Sequence, residues 1–91
     1  MKTSMKTSKN LRTTYNELKE VFEKLNYKVV LDKGNFNTGY CLLEHEKIIV
    51  VNKNKPYENR VKILSSILSK IDTDDIYLKP KIRELMISYN N

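Results

Sequence analysis

The sequence predicts an α+β domain in two layers, with elements in the order α, β, β, β, α, α. Three observations carry that reading. Two stretches repeat apolar residues at helical spacing, residues 11–25 and 57–71. Three short runs between them have strand character, and the last of these, Ile48–Val51, is entirely β-branched. Proline stands where a helix would start at Pro56 and again at Pro80.

Lys47–Ile71 organises the chain as a strand, a polar turn and a helix. The run Ile48–Val51 suits a central strand covered on both faces. Asn52, Lys53, Asn54 and Lys55 end it with turn chemistry. Pro56 fits the first helical position because its φ is already helical and its missing N–H has no partner there. Glu58 adds an acid where the helix dipole is positive. Tyr57, Val61, Leu64, Leu68 and Ile71 then step by four, three, four and three, one narrow stripe that Ile63 and Ile67 widen. Glu58, Lys62, Ser65, Ser66 and Ser69 fall opposite, so this helix is expected to have a wet back.

Taken in order, residues 1–9 repeat Met-Lys-Thr-Ser and are expected to form a disordered basic tail, with the domain over residues 10–91. Leu11, Tyr15, Leu18, Phe22 and Leu25, joined by Val21, make an amphipathic helix from about Lys9 that stops near Asn26. Tyr27–Leu31 reads as a strand and Asp32–Gly39 as a loop. Gly34, Gly39, Phe36 and Tyr40 form its recognition candidate, with core packing as the plainer reading. Tyr40–Leu43 begins the next strand, and Glu44, His45 and Glu46 turn it back into Ile48–Val51. The expected sheet is therefore an antiparallel meander of three strands, with the helices on one face. Asp72, Thr73, Asp74 and Asp75 break the chain before a last helix at Pro80, whose apolar face holds Ile82, Leu85, Met86 and Tyr89.

Composition removes several functions. No apolar run approaches the ~20 residues of a membrane span, and the polar N-terminus is not read as a secretory signal. A single cysteine, Cys41, allows no intrachain disulfide; with no export signal, this points to the cytoplasm. The formal charge is +6, but Lys2, Lys6, Lys9 and Arg12 supply +4 of it. The other 79 residues hold thirteen bases against eleven acids. The folded part is close to balanced, which weakens a nucleic-acid reading based on charge alone.

Chemistry-bearing residues are few. Cys41 and His45 lie ~13 Å apart on an extended chain, with no orienting acid or oxyanion hole nearby. Asp72, Asp74 and Asp75 lack the glycine and distal glutamate of a calcium loop and read as turn chemistry. One histidine and one cysteine do not make a zinc site. Lys53, Lys55, Arg60 and Lys62 gather where the second helix starts and are the anion or nucleic-acid candidates. Arg60 falls near the apolar stripe, so its head is expected to pair with Glu84 or Asp75.

The stretch GYCLLEHEKIIVVNKNKPYENRVKILSSIL, followed by YLKPKIREL, resembles a family of small uncharacterised bacterial proteins. Members share a Gly-Tyr-Cys strand, a strand ending in Asn-Lys, a Pro-x-Glu-x-Arg helix start and a closing Pro-x-x-Arg-Glu. The resemblance covers about residues 10–90 and implies a fold without an assigned activity. The strand-turn-helix is also similar, more distantly, to the minimal zincin metallopeptidases, in which such a helix start precedes His-Glu-x-x-His. Aligned on Arg60–Leu64, Ser65, Ser66 and Ser69 stand at the positions of the two histidines and the glutamate. That likeness implies a scaffold without its metal ligands. Helix, three-strand meander and helix is also the order of the double-stranded-RNA-binding domain, which implies phosphate contacts from Lys53, Lys55 and Lys62. The family's basic helix start is absent, and Glu58 opposes such contacts.

The expectation from sequence is a non-catalytic cytoplasmic interaction or accessory domain with no cofactor and no metal. Its partner is an unidentified protein, or a second copy through a sheet edge. The alternative is an RNA- or DNA-binding module using the basic turn.

Overall fold

The computed structural model describes residues 7–33 and 40–89. Six elements follow in order: α1 (Thr7–Lys24), β1 (Lys28–Asp32), β2 (Tyr40–Leu43), β3 (Ile48–Asn52), α2 (Tyr57–Leu68) and α3 (Pro80–Ser88). The α+β class and the order of elements agree with the sequence. The basic tail expected at residues 1–9 lies largely outside the described residues, and so does the glycine loop with Phe36. No helix among the described residues is long and apolar enough to cross a membrane.

The sheet is mixed, which corrects the expected antiparallel meander. Its strand order is β1-β3-β2, with β1 parallel to β3 and β2 antiparallel to it. Two physical reasons account for this. A meander would leave the β-branched run of β3 at an edge, and the observed order gives it two neighbours. Seven residues separate Asp32 from Tyr40, far more than the two of a tight hairpin. The turn from β2 to β3 is the short one, closed by Lys47 N–H donating to the Glu44 carbonyl at 3.2 Å, with Lys47 at φ 55°.

Strand register sorts the side chains into two faces. Val29, Tyr40, Leu42, Ile49 and Val51 share one face and join the core. Val30, Cys41, Leu43, Ile48 and Val50 share the other, which no described element covers. The core forms between the first face and the helices, around Leu18, Phe22, Ile49, Leu64, Leu68 and Ile82. α1 lies against β1 and α2, and α3 lies against α2.

α1 ends as its sequence suggests. Asn26 takes φ 68°, and Tyr27 N–H reaches back to the Phe22 carbonyl at 2.8 Å. Asparagine tolerates this left-handed stop better than most residues. α3 opens with Pro80 inside its first turn, buries Ile82 and is tied to α1 by Lys79 and Lys81, which reach the Glu17 carboxylate at 3.5 and 3.1 Å. Pro56 stands one place earlier than expected, capping α2 in extended conformation while the helix begins at Tyr57.

Candidate functional site

The four basic candidates at the start of α2 separate into two groups. Arg60 faces inward and holds the turn together. Its Nε donates to the Lys55 carbonyl at 2.9 Å and its Nη2 to the Lys53 carbonyl at 2.8 Å. The guanidinium lies over the Tyr57 ring at 4.8 Å and the Tyr15 ring at 5.4 Å, and the two rings meet edge to face at 5.6 Å. A planar fork with several donors suits this arrangement, and a lysine could not reproduce it. The expected partners Glu84 and Asp75 are thus replaced by two backbone carbonyls and two aromatic faces. Arg60 gives two of its donors to the turn and so acts as a fastening of the site.

The same turn is closed from its other side. Asn54 N–H donates to the Asn52 side chain at 2.9 Å, and Lys53 N–H donates to the Asp32 carbonyl at 2.8 Å, which joins the ends of β1 and β3. Beneath it the Tyr15 hydroxyl is buried with no hydrogen-bond partner. Burial pushes its pKa up, Tyr57 adds to the rise, and the Arg60 charge opposes it without cancelling it.

Lys55 and Lys62 behave differently. Together with Asn59, Ile63, Ser66 and Tyr40 they line a groove of about 270 Å³ between β2 and the first half of α2. Lys53 is exposed on the turn beside it. A second groove of about 340 Å³ continues between β2 and the second half of α2, where Tyr27, Leu42, Ile67 and Ile71 form its walls with Glu44, Asp72 and Lys70. Tyr40 lines both. The helix thus runs beside the edge of β2 with a furrow between them, basic where the helix starts and of mixed charge, two acids and Lys70, where it ends. The positive end of the helix dipole coincides with the basic end. Twelve residues of helix give the furrow a length of about 18 Å. Among the described residues no strand pairs with the outer side of β2.

Ser65, Ser66 and Ser69 do not form the wet back expected of them. Ser65 is 0 % exposed and its hydroxyl has no hydrogen-bond partner, while Ser66 and Ser69 are half-buried. Ser69 Oγ donates to the Ser66 carbonyl at 2.7 Å and faces a depression shared with Leu78, Arg83 and Met86. α3 lies against α2, and its Arg83 and Met86 share that depression with Ser69. Small side chains here let the two helices approach.

The remaining candidates lie apart. Cys41 is half-buried on the uncovered sheet face opposite Val50, and His45 is exposed in the turn after β2. Asp72, Asp74 and Asp75 are exposed, and Asp74 N–H donates to the Asp72 carboxylate at 3.0 Å, the local turn bond their sequence suggests. Among the described residues no group of three or more histidine, cysteine, aspartate or glutamate side chains is arranged to hold a metal ion.

Sequence reasoning singled out Lys55, Lys62 and Tyr40 but missed Leu42, Glu44, Ile67 and Ile71 as parts of one furrow. The available signal was β2 itself. Tyr-Cys-Leu-Leu is an edge strand without the lysine, proline or inward charge that ordinarily protects an edge. No family model, no curated protein and no solved structure matches this chain.

Proposed function

We propose that the chain is a non-catalytic interaction domain that accepts an extended segment of a protein along the furrow between β2 and α2. The observation that carries this reading is the juxtaposition of β2, four uncharged residues that pair with a strand on one side only among the described residues, with a furrow that has Lys55 and Lys62 at one end and Glu44, Asp72 and Lys70 around apolar walls at the other. A strand added to such an edge gains main-chain hydrogen bonds, and alternate side chains enter the furrow. Antiparallel addition to β2 sets the segment's carboxyl end beside Lys55 and Lys62 and its amino end beside Glu44 and Asp72. In this reading the setting is the cytoplasm, and the scaffold bears a distant resemblance to the minimal zincins, with Ser65, Ser66 and Ser69 in place of their ligands.

The test is a titration of isotope-labelled protein with the pentapeptide Lys-Val-Thr-Val-Glu and with its charge-reversed counterpart Glu-Val-Thr-Val-Lys. Amide shifts at Tyr40–Leu43 that saturate with the first peptide at lower concentration than with the second support the reading. Shifts confined to the uncovered sheet face, or none at millimolar peptide, overturn it.

A second reading keeps nucleic acid as the ligand. The observation favouring it is that Lys55 and Lys62 converge in one groove with Lys53 beside them. It requires retention on mixed RNA or DNA that falls steeply with salt and is lost in a Lys53→Glu, Lys55→Glu variant. Absence of retention at low salt removes it.

A further inference from the structure

We draw no further inference here: the strongest candidate, the sheet face of Val30, Cys41, Leu43, Ile48 and Val50 that no described element covers, carries none because nothing in the structure shows what covers it.

Discussion

β3 and α2 exchange the environments their sequences suggest. The continuous β-branched run of β3 reads as a strand covered on both faces, yet only Ile49 and Val51 are buried; Ile48 and Val50 look out from the sheet. α2 reads as a helix with one apolar face and a wet back, yet it is covered on two sides, by the core and by α3, and Ser65 is as buried as Leu64. A run of valines and isoleucines reports strand propensity and says nothing about whether a second layer exists. A serine stripe on a helical wheel reports polarity, and a neighbouring helix can use its small size instead. Burial is decided by what the rest of the chain brings to each face.

The largest effect should come from testing the two sides of β3 against each other. Ile49→Ala opens a cavity in the core and should cost about 2–5 kcal/mol. Val50→Ala, on the uncovered face, should cost much less. Chemical denaturation of both variants measures the difference. Equal losses would mean that the outward face is covered in the native protein, and the contrast with α2 would collapse.

Next in size is Arg60, which fastens the start of α2 to the end of β3. Arg60→Ala leaves the Lys53 and Lys55 carbonyls without their donors and removes the cation from between Tyr15 and Tyr57. The expected loss is about 1.5–3 kcal/mol, the range for hydrogen bonds to a charged group. Arg60→Lys should recover only part of it, since an ammonium cannot form the same fork. Lys53→Glu is the control: the side chain is exposed, and stability should barely change. If Arg60→Ala proved as mild as Lys53→Glu, Arg60 would return to the set of cations able to meet a ligand.

Much of this architecture was legible in the sequence, for reasons that can be named. α1 announced itself through Leu11, Tyr15, Leu18, Phe22 and Leu25, and its stop through Asn26, because periodicity and left-handed tolerance are local properties. Pro80 marked α3 in the same way. Sheet order was less accessible, because the link from Asp32 to Tyr40 permits either order and only the pairing preference of β3 chooses. The partners of Arg60 could not be read at all: backbone carbonyls carry no residue identity. The furrow was half legible, through its lysines and Tyr40, whereas its other end brings together Glu44 and Asp72, which are 28 positions apart in the chain, with Lys70.

Ser65 offers a smaller test of the covered side of α2. Its hydroxyl is buried without a partner, an arrangement that costs stability relative to an apolar group of the same size. Ser65→Ala should therefore be neutral or stabilising by up to about 1 kcal/mol, and Ser65→Leu should overpack the contact with α3 and destabilise by more. A serine that faced water, as the helical wheel suggests, would show neither response.

The smallest effect concerns how α3 is held over that side. Burial pushes the pKa of Glu17 upward, but Lys81, through its hydrogen bond and its charge, and then Lys79 outweigh it, so that it settles below the ordinary 4.5. The folded chain thus holds this proton less tightly than the unfolded one. The stability the cluster contributes is fully present above pH 4.5 and is lost as the pH falls through the lower, folded value. Both lysines are more than half exposed, so the contribution should be below about 1 kcal/mol. Thermal melts of wild type and Glu17→Gln at successive pH values isolate it, since every other carboxylate is common to both. Wild type should melt higher at neutral pH, and the gap should close in acid. A gap that persisted at pH 2 would show that Glu17 acts by packing between α1 and α3 rather than by charge, and that α3 covers α2 without electrostatic help.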